Sequence, residues 1–153
     1  MAQPADALIA EAPVFAGLFP ERLATLAACA SAAEFEAGEQ IAREGGAADA
    51  FYVLRDGTVA IELHAPGRSL TIETIGPGEV LGWSWLFPPH RWHFDARSVS
   101  HVTATRFDGP CLRAACEAEP ALGYDLTRRF AGVFVERLRW TRLRLLDLYG
   151  DAR

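Results

Sequence analysis

Phe51-Tyr52-Val53-Leu54-Arg55-Asp56-Gly57-Thr58-Val59-Ala60-Ile61-Glu62-Leu63 holds two apolar runs parted by Arg55-Asp56-Gly57. An Asp-Gly pair between two β-prone runs predicts a tight hairpin, because glycine accepts the positive φ such turns require. The same rhythm extends outward. Upstream, Phe35 and Ile41 sit in short blocks divided by Ala37-Gly38-Glu39, and Glu44-Gly45-Gly46 leads into Phe51. Downstream, Ala65-Pro66-Gly67 precedes a run with Leu70, Ile72 and Thr74, and Phe94–Val99 and Val102–Phe107 close the series. Short runs of period two, with glycine turns every ~8–12 residues, indicate an antiparallel sandwich or barrel. About eight strands are expected, the number a jelly roll uses.

Outside this region the period becomes helical. Residues 1–12 are alanine-rich and predict a short helix or a loose arm. Pro20-Glu21-Arg22 opens a helix over about 20–30, with proline in the first turn and Leu23, Leu26, Ala27 and Ala30 at helical spacing. After Gly109-Pro110 a short helix is expected at Cys111–Ala118, broken by Glu119-Pro120, and then a long one over 121–148. That helix carries Leu122, Leu126, Phe130, Val133 and Phe134 on one stripe, and Ala131, Val135, Leu138 and Leu145 on another. A helix apolar on two sides needs two partners. One is its own domain, and the other is the same helix of a second copy, through Phe130, Phe134, Val135, Leu138 and Leu145. A single broad core face is the alternative. The expected fold is mainly β with flanking helices: an eight-stranded jelly-roll-type β-roll with a long C-terminal helix. One domain over 1–153 is expected, with a helical part at 4–31, the roll at 32–108 and the C-terminal helices at 110–149.

The bulk composition narrows the function. The 153 residues carry a net charge of −5, which argues against non-specific attraction to nucleic acid or an acidic membrane. Every basic side chain is arginine; no lysine occurs. The arginines of the long helix, Arg128, Arg129, Arg137, Arg139, Arg142 and Arg144, are expected to be solvated or paired with Glu136 and Asp147. Cys29, Cys111 and Cys116 match no zinc spacing and are expected as small buried hydrophobes in helices. No signal peptide is evident, and no apolar run approaches the ~18–20 residues of a membrane span. A cytoplasmic protein without a membrane partner is expected.

The stretch Gly76–Val99 concentrates the unusual residues, including three of the four tryptophans. Glycines open it and Pro88-Pro89 bends it. Trp83, Trp85, Trp92 and Phe94 offer flat apolar walls, with Ser84, His90, Arg91 and His93 as polar handles, which suits a small planar or apolar ligand. The alternative is that the rings fill the space themselves. His90 and His93, flanked by Glu79 and Asp95, also raise a metal or haem reading, although the HxH spacing of a cupin is absent. No Ser-His-Asp or Cys-His arrangement suggests catalysis. No catalytic residue, metal or cofactor is assigned.

Taken in order, Phe15-Ala16-Gly17-Leu18, Phe35-Glu36-Ala37-Gly38-Glu39, Glu44-Gly45, Phe51–Val59 and Ile75-Gly76-Pro77-Gly78-Glu79-Val80-Leu81-Gly82 resemble the cyclic-nucleotide-binding domain of the Crp/Fnr superfamily. The resemblance spans roughly residues 14–148 and implies a β-roll with a C-terminal dimerisation helix. It implies a ligand cradle at Gly78, Glu79 and Gly82 and onward through Phe94, Asp95, Ala96 and Arg97. The phosphate-binding cassette departs from the family. Trp83 follows Gly82 where nucleotide-binding members carry a glutamate for the ribose. Alignment on Ala96 puts Phe94 where the phosphate-pairing arginine belongs and Asp95 at the small residue. Each lost charged hydrogen bond would weaken binding by on the order of 1.5–3 kcal/mol. Arg91 or Arg97 are the possible substitutes. The resemblance therefore implies a non-catalytic sensor for a small ligand other than cyclic AMP or cyclic GMP, acting through a homodimer. A ligand-free interaction module is the alternative. The chain stops at Arg153 without a helix-turn-helix, so DNA binding by this chain alone is not expected.

Overall fold

The computed structural model describes residues 9–151, with side chains to Tyr149; most of the alanine-rich start lies outside the described residues. A 3-10 turn at Pro13–Phe15 leads to α1 (Pro20–Ala28). Eight strands follow: β1 (Ala30–Phe35), β2 (Gln40–Ala42), β3 (Ala50–Asp56), β4 (Val59–Ala65), β5 (Arg68–Ile75), β6 (Val80–Leu81), β7 (Asp95–Ser98) and β8 (Val102–Asp108). Then come α2 (Gly109–Ala118) and α3 (Pro120–Asp151). The strands form two antiparallel four-stranded sheets, ordered β1-β8-β3-β6 and β2-β7-β4-β5. This is the mainly β roll with flanking helices that the periodicity predicts.

The turn at Asp56-Gly57 corrects one expectation. It is not a hairpin: β3 pairs with β8 and β6, while β4 pairs with β5 and β7. The chain uses this corner to cross between sheets. A Cβ on Gly57 would lie 2.3 Å from the His101 carbonyl oxygen, and its φ is +94°, so only glycine passes there. The β4–β5 hairpin turns instead at Pro66-Gly67, with Ala65 opposite Arg68.

Two apolar clusters share β3, whose successive side chains point to opposite faces. Leu54 faces the roll interior with Val59, Ile61, Ile75, Leu81, Trp92, Phe94 and Val102. Phe51 and Val53 face the helices, with Phe15, Leu26, Trp85, Phe107, Leu112, Leu122, Leu126 and Phe130. Phe51 stacks on Phe107 at 4.6 Å and on Trp85 at 5.1 Å, and meets the edge of Phe130 at 5.0 Å. Such aromatic pairs add about 0.5–1.5 kcal/mol each beyond area burial. Leu122, Leu126 and Phe130, four apart, lay the first half of α3 on this layer.

The helices are tied at their ends. Asp108 caps α2 by accepting the Cys111 amide at 2.9 Å. Asp125 of α3 accepts from Arg22 of α1 at 2.9 Å and from Arg129 at 2.8 Å. Burial pushes the Asp125 carboxyl up, but Arg129 and Arg22 outweigh it and hold it below its ordinary value. The cysteines depart from expectation. Cys29 follows α1 rather than lying in it, β1–β8 pairing brings it beside Cys111, and the two form a disulfide with Cα atoms 5.7 Å apart. Cys116 is a free thiol, raised by burial and by Glu119. Among the described residues no helix is long and apolar enough to cross a membrane.

Candidate functional site

The cradle begins at β6, a two-residue strand paired with Tyr52 and Val53. Gly82 follows with φ +100°, and a Cβ there would meet the Trp92 ring at 2.7 Å. Trp92 therefore occupies the space that Gly82 leaves. From this point the tryptophans diverge. Trp85, expected as a cradle wall, turns under the sheet and is fully buried against Phe51 and Phe130, with no hydrogen-bond partner on Nε1 among the described residues. Ser84 is buried beside it in sequence. Trp92 and Phe94 pack 5.7 Å apart in the roll interior. Trp83 joins the roll interior to the helix, 5.4 Å from Phe94 and 5.4 Å from Phe134 of α3.

The polar candidates are dispersed. Glu79 turns back to accept the Gly76 amide at 3.1 Å. Asp95 is buried and accepts the Glu44 amide at 2.7 Å, with its other oxygen 2.5 Å from His64 Nε2. Its carboxylate thus anchors the β2–β3 connection and β4. Arg97 is exposed and reaches Glu62 at 3.2 Å; Arg91 is exposed and donates to the Gly45 carbonyl at 3.2 Å. Both candidate substitutes for the missing arginine are engaged elsewhere. Ala96 is buried in the roll, and His93 is exposed. His90 follows the cis Pro88-Pro89 bond with φ +56°. His90 and His93 join no metal-capable group among the described residues; Glu34, Glu36 and His101 form one, exposed, at the β1–β8 rim.

The residue that completes the cradle comes from α3. Arg137 places its guanidinium 5.6 Å from the Trp83 ring, donates Nη2 to the Val80 carbonyl, and sets Nε 3.5 Å from Glu73 of β5. Burial lowers its proton affinity, opposed by the Glu73 and Glu79 carboxylates. Nη1 is enclosed and has no acceptor among the described residues. An unpaired buried donor costs about 1–3 kcal/mol, more when charged. Arg129 donates to the Ala16 carbonyl at 2.6 Å, and Arg144 donates to the Ile72 carbonyl. The expectation that these arginines are solvated or paired along the helix fails for Arg137, whereas Arg129 also pairs with Asp125 one turn back and Arg144 stays exposed. Their spacing of eight and seven residues puts them on one side of α3, and that was the available signal.

Two spaces adjoin Arg137. A cleft of 650 Å3 lies between α3 and the β5–β6 turn, bounded by Glu73, Glu79, Val80, Arg129 and Trp140 among others. An open hollow of 280 Å3 is lined by Trp83, Phe87, Phe134 and Arg137. On the helix, Phe130 is buried in the chain's own core, so it does not face outward as a subunit contact. Val135, Leu138 and Leu145 are exposed.

Residues 32–119 match the family model described as the cyclic nucleotide-binding domain. The chain belongs to this family. Its roll and long helix are of the Crp/Fnr type. A CRP-like cAMP-activated global transcriptional regulator of Mycobacterium tuberculosis is 30% identical over 144 residues, covering 94% of this chain and 62% of that protein. The chain thus spans about three fifths of that relative's length. A Geobacter metallireducens protein named for cyclic-nucleotide binding superposes with a TM-score of 0.80 at 28% identity, over 90% of this chain and 99% of its own. The N-terminal domain of a Streptomyces coelicolor transcriptional regulator gives 0.68 at 27%, over 88% and 92%.

Proposed function

We propose that this chain is a non-catalytic sensor domain whose cradle at residues 78–97 takes a small ligand other than cyclic AMP or cyclic GMP. Residues 1–153 act as one domain, and the state of the cradle is passed to α3, which pairs with a second copy. The observation that carries this reading is the junction at Trp83. A ring that follows the cassette glycine packs on Phe134 and lies under Arg137, so the cradle and α3 cannot move independently. The regulator named above supports the sensing role by kinship. The cassette argues against its ligand: Trp83, Phe94 and Asp95 stand where the family's ribose- and phosphate-binding groups belong. The exposed face at Val135, Leu138 and Leu145 supports the pairing.

Thermal unfolding against cyclic AMP, cyclic GMP, cyclic dinucleotides, haem, divalent metals and small organic acids tests the ligand. At a hundred times its dissociation constant, a specific ligand adds roughly 2.7 kcal/mol. For a chain of this length that raises the midpoint by about 5–10 °C. A shift with cyclic AMP or cyclic GMP would overturn the ligand assignment. A monomer at micromolar concentration would overturn the pairing. A second reading, a ligand-free interaction module, is favoured by the packing of Trp83, Phe94 and Trp92 on one another. Silence across the whole panel, with the dimer intact, selects it.

A further inference from the structure

Resting on the sensor reading, we infer that the open hollow between Trp83, Phe87, Phe134 and Arg137 takes a small organic monoanion, an aryl or short alkyl carboxylate. Three of the four lining residues are aromatic and the fourth is a cation. Apolar walls with a single charged group select a ligand with an apolar body and one opposite charge. Arg137 has capacity for that charge. Its separation of 3.5 Å from Glu73 lies beyond the usual range of a hydrogen bond, and the residue lines the hollow. A planar guanidinium offers carboxylates a two-pronged donor face.

Size and charge favour a small ligand of low charge. The volume of 280 Å3 exceeds the ~150 Å3 that admits a benzene ring, yet falls below the ~300–1,000 Å3 typical of drug-sized ligands. A purine, ribose and phosphate together ask for more. A doubly charged phosphate would meet one arginine and two nearby carboxylates, Glu73 and Glu79, which already act on it. A cation suits three rings but is repelled by Arg137. Phe87, 45% exposed, is the wall that opens to solvent. Glu73 is then an internal competitor: it holds the guanidinium that the ligand must share. Because α3 carries both Phe134 and Arg137, occupancy bears directly on the helix.

The test titrates the 153-residue chain with benzoate and hexanoate, and with benzamide and hexanamide as neutral counterparts, by calorimetry and thermal unfolding. The carboxylates are expected to bind at least ten-fold more tightly than the amides. Glu73→Gln is expected to tighten them several-fold. Arg137→Met, which keeps an apolar stem beside Trp83, is expected to abolish the preference. Equal binding of acids and amides, or no binding to either the wild type or Glu73→Gln, overturns the proposal and leaves Arg137 as a strut. Because Glu73→Gln retains the arginine, the proposal stays testable if Arg137→Met does not fold. A response to another compound of the wider panel without one to carboxylates removes this ligand class and keeps the sensor reading; silence to all removes both.

Discussion

Phe130 separates the domain's own packing from its association with a second copy. It is fully buried, 5.0 Å from Phe51 and 5.5 Å from Trp85, in the layer that holds α3 to the sheet. Phe130→Ala removes a ring from a close-packed site and forfeits two aromatic contacts, a change that costs about 3–5 kcal/mol. Domains are commonly stable by only about 5–15 kcal/mol, so this is a large share. With a urea dependence of about 2 kcal/mol per molar, the unfolding midpoint should fall by roughly 1.5–2.5 M. The companion variant is Leu138→Glu, at an exposed position of the same helix. It should leave the unfolding free energy of the monomer within about 0.5 kcal/mol of wild type, while weakening self-association measured by sedimentation equilibrium. The reasoning is refuted if Phe130→Ala leaves stability intact and lowers self-association instead. That result would mean α3 is rotated, with Phe130 facing the partner and Leu138 the roll.

Further outcomes follow from other parts of the domain. Gly82→Ala forces a Cβ against the Trp92 ring at φ +100°, and should cost about 1–3 kcal/mol in denaturant unfolding; a neutral result would mean that the cassette backbone relaxes freely. Reducing the Cys29–Cys111 disulfide opens a closure of 82 residues, worth up to about 4–5 kcal/mol in the chain-entropy account, so the midpoint should drop on adding reductant. Three titratable thiols in unreduced, denatured protein would contradict the bond. Asp125 is held below its ordinary carboxyl value by Arg129 and Arg22, so its contribution is complete above the unfolded value near ~3.9 and lost as pH falls through the lower folded one. Asp125→Asn should therefore lower stability at neutral pH and flatten its decline below pH ~4; an unchanged acid limb would count against the pairing.

Much of this architecture was legible because period and punctuation act locally. Glycines at 38, 45, 57, 67 and 78 all take positive φ, and the switch from period two to helical spacing near Gly109 falls at the start of α2. What sequence could not resolve depended on the third dimension. Asp56-Gly57 reads as a hairpin locally, but whether a corner joins neighbours in one sheet or crosses to the other is decided by distant pairing with β8. β6, two residues long, is too short for a pattern to register. Trp83, Trp85 and Trp92 look alike in a row, yet one faces the helix, one the layer beneath and one the roll interior, because irregular backbone sets no period. Arg137 lay hidden among six arginines of one helix, since pairing with Glu73 is a contact between elements 64 residues apart.

The uneven attachment of α3 has a mechanical consequence. Its 32 residues span about 48 Å, but the fully buried Leu122, Leu126 and Phe130 all lie in the first third. The helix is a rod clamped at one end, and past Phe130 it is steadied by side-chain ties such as Arg137 and Arg144. With those ties released, a tilt of about 5° pivoting at Phe130 would move Phe134 by only about 0.5 Å and the far end by about 3 Å. A displacement too small to disturb the aromatic packing would then arrive at the tip as a change large enough for another protein surface to read.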